Sequence, residues 1–360
     1  MNQYANNLKV DLEFDYKMIE GDNMITLKDV ARELDVSLSL VSKVLNNRMG
    51  TTNVTPAKAE LIREKAKEMG YVKNSSAVSL LSGRQDTIGI FVHCSGVSGS
   101  GIMERLLMGM SGSVHKQHKR QSLCFYGSKK EFLELVKTAN RGIMDGLLIG
   151  NIRHSVLVEV LLDLQNAKMP IVTMYDEPIH PDIVNVGIDQ VKVGEMATNH
   201  LIEQGCKNII HIKNMYERLE GSKIALKKAG IPFDSKKVFS VDASGRMDEF
   251  GSHIGEMAVK HFIDNEIEFD GIVTQSDREA MGCMNYLAKI GMNVPKEVKV
   301  IGVDNSPYCD FTSTTLSSID QNNGTQGSLA ADILMQKIDG ESVTSITIEP
   351  SLVVRESTDK

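Results

Sequence analysis

Apolar positions fall in two rhythms along the chain, and the rhythm changes near residue 87. Between residues 24 and 70 they recur at helical spacing. Leu27, Val30, Ala31 and Leu34 stand at i, i+3, i+4 and i+7, opened by Thr26-Leu27-Lys28-Asp29, the threonine and acid of a capping box. Ser37 reads as the N-cap of a second helix with a stripe of Val41, Val44 and Leu45. Thr55-Pro56 starts a third that runs through Met69, with Leu61, Ile62, Ala66 and Met69 inward and Gly70 as its C′ residue. From Thr87 the apolar residues instead gather in short runs: IGIFV (88–92), SLCFY (122–126), GLLIG (146–150), IVTMY (171–175), IVNVGI (183–188), NIIHI (208–212), KVFSV (237–241), GIVTQ (271–275) and VKVIGV (298–303). Nearly every gap has room for one helix. Strand and helix in alternation predict parallel sheet with helices on both faces, and so many strands exceed one ordinary open sheet. Two doubly wound lobes are expected, with a ligand cleft beyond the carboxyl ends of their strands.

Composition narrows the class. A chain of 360 residues has room for two or three domains at about 150 residues each. No apolar run approaches the ~18 residues that cross a bilayer, and the first 23 residues lack the apolar core of a signal peptide, so a cytoplasmic protein with no membrane partner is expected. Cys94, Cys124, Cys206, Cys283 and Cys309 are odd in number and nowhere paired as C-x-x-C, which fits reduced thiols acting as small core hydrophobes. The net charge of −7 is uneven: residues 1–23 carry −3, residues 24–83 carry +3, and the remainder carries −7. A basic module on an acidic body implies one part that meets a polyanion.

The run from Ile25-Thr26-Leu27-Lys28-Asp29-Val30-Ala31 to Val41-Ser42-Lys43-Val44-Leu45-Asn46 resembles the helix-turn-helix of the lactose/galactose repressor (LacI/GalR) family. Such a motif lays its second helix in the major groove with N-terminal side chains at base edges. The resemblance implies DNA contacts from Thr26, Ser37, Leu38, Ser39, Ser42, Lys43 and Asn46; Val41, Val44 and Leu45 face the first helix and leave Leu38, Ser39, Ser42 and Lys43 outward. Lys43 stands where the family commonly has arginine and Leu40 where it has threonine, so its operator does not carry over. Asn74-Ser75-Ser76-Ala77-Val78-Ser79-Leu80 is similar to the family's hinge segment, which implies Asn74, Ala77 and Leu80 at DNA, with Leu80 as a minor-groove wedge. Lys73 in place of the usual proline and Val78 in place of a frequent arginine depart from that pattern.

The body resembles the family's effector domain, itself similar to periplasmic sugar-binding proteins. The matches are Asp145-Gly146-Leu147-Leu148, Pro170-Ile171-Val172, Asp176-Glu177-Pro178, Asp189 with Gly194, Arg218-Leu219-Glu220-Gly221, Gln275-Ser276-Asp277 with Ala280 and Gly282, Ile301-Gly302-Val303-Asp304-Asn305 and Leu352-Val353-Val354-Arg355-Glu356-Ser357. Asp176, Arg218, Asp277 and Asp304 lie at strand ends or just beyond them, and the resemblance implies that they bind the effector. Salt bridges or helix caps are the plainer roles for such groups, for Asp277 above all. Ala243-Ser244-Gly245 replaces the family's usual aromatic and the chain has no Trp, which removes a flat platform for a sugar ring. Ser95-Gly96-Val97-Ser98-Gly99-Ser100-Gly101 reads as a cleft-lining loop without a phosphate-binding signature.

The expected layout is a disordered extension (1–23), a helix-turn-helix domain (24–70), a hinge (71–86) and an α/β effector and dimerisation domain (87–356). Lobe one takes about 87–186 and 321–342, lobe two about 187–317 and 345–356. The expected function is a sequence-specific DNA-binding regulator, a repressor, that binds a near-palindromic operator at the bacterial nucleoid as a homodimer. A small-molecule effector, a sugar or related metabolite, sits between its lobes. The chain ends without the heptad tail that makes some relatives tetramers. A transport-type solute-binding protein is the alternative. No enzyme, cofactor or metal site is implied: the nine histidines are scattered, and His115 and His118 fall on a solvated helix face.

Overall fold

The computed structural model describes residues 25–46, 54–72, 85–93, 101–139, 143–150, 157–175, 178–213, 215–240 and 251–359. Contacts divide the chain into two compact units, Met1–Ser82 and Gly83–Lys360.

In the first unit α1 (Leu27–Glu33), α2 (Leu38–Leu45) and α3 (Pro56–Glu68) enclose a core of Val30, Ala31, Val41, Val44, Ala59, Ile62 and Ala66. Each helix start is capped by its own sequence. The Ser37 and Thr55 hydroxyls accept from the N–H groups of Leu40 and Lys58, both at 3.3 Å. The Asp29 carboxylate accepts from the Thr26 N–H at 2.9 Å and the Thr26 hydroxyl at 2.6 Å. Gly70, at φ 72°, ends α3 in a left-handed turn. Leu61, expected inward, is 52% exposed. Adjacent helical residues stand about 100° apart, and Ile62 takes the core position, so the buried stripe is Ala59, Ile62 and Ala66.

Among the described residues the second unit holds two six-stranded sheets. The first contains β1 (Thr87–His93), β2 (Arg120–Tyr126), β3 (Gly146–Gly150), β4 (Ile171–Met174), β5 (Asn185–Ile188) and β11 (Ile346–Ile348), in the order β11-β5-β4-β3-β1-β2, all pairs parallel. The second contains β6 (Ile209–Lys213), β7 (Val238–Ser240), β8 (Gly271–Val273), β9 (Lys299–Val303), β10 (Ser317–Asp320) and β12 (Ser351–Val353), in the order β12-β10-β9-β8-β6-β7. Helices cover both faces of each sheet. Ile88, Ile90 and Val92 of β1 meet α4 (Ile102–Lys116) and α11 (Asn323–Ile338), while Phe91 turns the other way toward α5 (Lys129–Thr138) and α6 (Leu157–Asn166). In the second sheet Ile210 and Ile212 meet α9 (Gly251–Asp264) and α10 (Asp277–Lys289); Ile209 meets α7 (Gln190–Glu203) and α8 (Tyr216–Lys228).

Two expectations need correction. The chain crosses between the sheets after Ile188, after Asp320 and after Ile348, whereas lobe two was expected to begin near 187 and to resume at 345. Ile346 to Ile348 pair in register with Val186 to Ile188, so the whole of β5 and β11 belongs to the first lobe. The second sheet is not wholly parallel either, because β12 runs antiparallel to β10.

Three helix pairs approach through facing glycines. A Cβ on Gly194 would stand 1.9 Å from the Arg218 carbonyl oxygen, and one on Gly221 would stand 1.8 Å from that of Val191, so α7 and α8 touch backbone to backbone. Gly255 and Gly282 serve α9 and α10 in the same way, and Gly109 and Gly327 serve α4 and α11.

Candidate DNA-binding and effector sites

On α2, Val41 and Val44 are buried, while Ser37, Leu38, Ser39 and Lys43 are exposed and Ser42 and Asn46 are half-buried. The N-terminal ends of α2 and α3 open into one hollow of about 320 Å³ lined by Ser37, Ser39, Leu40, Lys43, Val54, Thr55 and Lys58. Two helix N-termini, three hydroxyls and two ammonium groups converge there, a combination that suits a backbone phosphate. Thr26 is placed differently: its hydroxyl proton goes to Asp29, which commits it to capping α1. Asn46 donates to the Ser42 hydroxyl at 3.4 Å. Asn74, Ala77 and Leu80 lie outside the described residues, as does Asp176.

In the second unit the structure brings Arg218, Asp304 and Asp277 into one buried polar cluster. The glycine contact between α7 and α8 sets Arg218 beside Gln190, the first residue of α7. The guanidinium donates from Nε to Gln190 Oε1 at 2.7 Å, from Nη1 to the Gln275 carbonyl at 2.5 Å and from Nη2 to Gln321 Oε1 at 3.1 Å. Gln321 passes the chain on, donating from Nε2 to Asp304 Oδ1 at 2.6 Å. Gln190 and Gln321 sit on two of the three segments that cross between the sheets, so Arg218 ties the crossings together. Each hydrogen bond to a charged group is worth about 1.5–3 kcal/mol.

Burial drives the electrostatics. It raises the Asp304 carboxyl well above the usual carboxylate range, the neighbouring Asp277 adds to the rise, and Arg218 and Gln321 oppose it. Burial also raises Asp277, against hydrogen bonds from Ser318 and Ser306. Glu279, buried on α10, accepts from the Gln275 N–H at 2.8 Å, and burial pushes it up to about 7. Both Asp277 oxygens are already used: Oδ2 accepts from the Ser306 N–H and Oδ1 from the Ser318 hydroxyl, each at 2.6 Å. That residue braces the β9 and β10 ends against α10, so its placement favours the plainer role.

Gln190, Gln321 and Glu279 were not anticipated as members of the cluster. Gln321 follows a strand that no apolar run announced, and Gln190 matters only once two distant crossings meet. The spacing Arg218-x-x-Gly221 together with Asp189 and Gly194 did carry the signal: its glycines are the two sides of one helix contact and its arginine is what that contact positions.

Comparison with known proteins decides the kind of molecule. Residues 26–74 match the profile of bacterial regulatory proteins of the lacI family, and residues 198–358 match a periplasmic binding protein-like domain. The chain is 27% identical to the HTH-type transcriptional regulator CelR of Thermobifida fusca over 92% of its own length and 98% of that protein's. It is 26% identical to the HTH-type transcriptional repressor PurR of Vibrio vulnificus, covering 94% and 99%. The chain joins a lacI-family DNA-binding domain to a periplasmic binding protein-like domain. The relatives that align over nearly its whole length are transcriptional regulators, and residues 26–74 carry the lacI-family DNA-binding domain. Among solved LacI-family structures, a CelR–cellobiose complex aligns with a TM-score of 0.67 at 26% identity, covering 92% of this chain and 99% of that one. A lac repressor dimer bound to operator and an anti-inducer aligns with a TM-score of 0.76 at 18% identity, covering 93% and 99%, which extends the likeness of fold. No helix among the described residues is long and apolar enough to cross a membrane.

Proposed function

We propose that this regulator represses transcription by binding a near-palindromic operator as a homodimer in the cytoplasm, with α2 in the major groove, and that a neutral, hydroxyl-rich small molecule held between the lobes controls it. The observation that carries the reading is the Arg218 cluster. The residues that resemble the family's effector contacts are bonded to Gln190 and Gln321, on two of the three segments any change of lobe angle must bend. Arg218 already gives three of its five N–H donors to protein acceptors, and burial favours the neutral acid form of Asp277, Glu279 and Asp304, so the cluster offers hydrogen-bonding groups suited to hydroxyls and not a cluster of cations suited to sugar phosphates or sugar acids. Asp176, Asn74, Ala77 and Leu80 keep their proposed roles on the resemblance alone. A transport-type binding protein gives no account of a three-helix module with its own core.

The test is a thermal-shift screen against neutral sugars, sugar acids, phosphorylated sugars and purines. Cellobiose is the first probe, because it is the ligand in the CelR complex. A ligand bound only by the folded chain raises its melting temperature with concentration. A shift with a neutral saccharide alone is expected; a shift only with phosphorylated or acidic ligands would overturn the class assigned.

A further inference from the structure

Arg105 lies on α4 in the first lobe, and its guanidinium reaches the second. Nη2 donates to the carbonyl oxygens of both Asp304 and Asn305, at 2.5 and 2.6 Å, and Nη1 lies 3.7 Å from Asp320 Oδ2. In an extended strand successive carbonyls point to opposite sides. These two converge because Asp304 and Asn305 both have positive φ, 112° and 47°, a conformation that non-glycine residues keep only where surroundings hold it. Asp320 joins the same knot, accepting from Asn305 Nδ2 at 2.8 Å and from the Asn322 N–H at 2.7 Å, where the chain crosses back into α11. The lobes meet closely at this point: a Cβ on Gly101, the N-cap of α4, would lie 2.8 Å from Pro307 Cδ.

One strained turn therefore faces two ways. The Asp304 carboxylate points to Gln321 and through it to Arg218, while the Asp304 carbonyl points to Arg105 in the other lobe. We infer that Arg105 is a positioning residue that straps lobe one to the Asp304 turn, so that the effector's hold on Asp304 and the angle between the lobes form a single equilibrium. Arg105 acts through the turn's backbone and not by touching the effector. A ligand shifts such an equilibrium only through its differential affinity for the two arrangements. The inference rests on the reading that an effector binds at Asp304, but the strap itself is testable without one.

The experiment measures the interlobe distance by pulsed dipolar spectroscopy in the full chain. Spin labels go at the exposed positions Lys129→Cys in lobe one and Asp264→Cys in lobe two, with Cys94→Ser and Cys124→Ser to remove competing thiols, and labelled chains are diluted so that a dimer carries one pair. The parent chain is expected to give one narrow distance. Arg105→Ala is expected to broaden it and add a second population, and the milder Arg105→Gln to do so less. Asp320→Asn keeps both carbonyl bonds but only one of the two acceptors that Asn305 and the Asn322 N–H use, and is expected to change the distance less than Arg105→Ala. An unchanged distribution in cooperatively melting Arg105→Ala and Arg105→Gln overturns the strap. A change as large in Asp320→Asn reduces it to an ion pair. A chain whose distance responds to Arg105→Ala but whose melting responds to no screened ligand keeps the strap and loses the effector reading. One that binds cellobiose or another saccharide while Arg105→Ala leaves the distance unaltered does the reverse.

Discussion

Glu279 shows how a single buried group sets the behaviour of the site. Burial pushes its carboxyl up to about 7 in the folded chain from the ordinary 4.5, so the fold favours the protonated form. The stability this contributes is complete below the unfolded value and is lost as pH rises through about 7, up to about 3 kcal/mol in all. The melting temperature of Glu279→Gln, which keeps an acceptor for the Gln275 N–H, is expected to fall less between pH 5 and 8 than that of the parent; parallel profiles would remove Glu279 as the cause. Arg218 calls for similar care. Truncation to Ala removes the donor from Gln190, Gln321 and the Gln275 carbonyl, and a buried acceptor left without a partner costs about 1–3 kcal/mol, so Arg218→Lys is the cleaner test of ligand response. At the other end of the chain, Lys43→Ala should weaken operator binding, measured by anisotropy across a salt series. A base contact costs ~1–3 kcal/mol at one position, a phosphate contact lowers the salt slope by about one, and unchanged affinity would remove Lys43 from the interface. Arg218 and Asp304 were legible in the sequence because each stands in a spaced motif at a strand end. Arg105 was not, since an arginine on an amphipathic helix looks like any solvated residue until the opposing turn is seen.

Between elements, facing glycines set how closely the helices lie. Gly194→Ala forces a methyl against the Arg218 backbone, and overpacking of this kind costs about 1–3 kcal/mol. Calorimetry should show a lower melting temperature together with a weakened ligand response, because Arg218 moves with α8. Gly112→Ala, with nothing within 4 Å of the added methyl on the exposed side of α4, should instead raise stability by about 0.5–1 kcal/mol. A Gly194→Ala chain as stable as the parent would remove the crossing from the account. The apolar runs announced nine strands of the fold, and β10 was missed for a physical reason. Its Ser317 and Ser318 are fully buried, yet their hydroxyls bond to the Arg355 carbonyl and to Asp277, so a polar pair occupies the sheet interior without an unpaired group. Short β11 and β12 carry too few residues for a period to show.

For the whole molecule, the proposed dimer has a candidate face on the first lobe. Leu123 and Phe125 on the edge strand β2 and Met108 on the neighbouring α4 are exposed, an apolar grouping that an isolated chain rarely leaves in water. Sedimentation should show a dimer for the parent and a monomer for Phe125→Arg; a dimer in both would place the interface elsewhere. The triple crossing between the sheets also fixes an order of events on the ribosome. The helix-turn-helix core is complete by Tyr71, whereas the first sheet waits for Ile346 to Ile348 and the second for Ser351 to Val353. A nascent chain therefore carries a finished DNA-reading head while its effector-responsive body still lacks the strands that close it, and a ribosome stalled before residue 346 leaves β5 as an open edge for another chain to pair with.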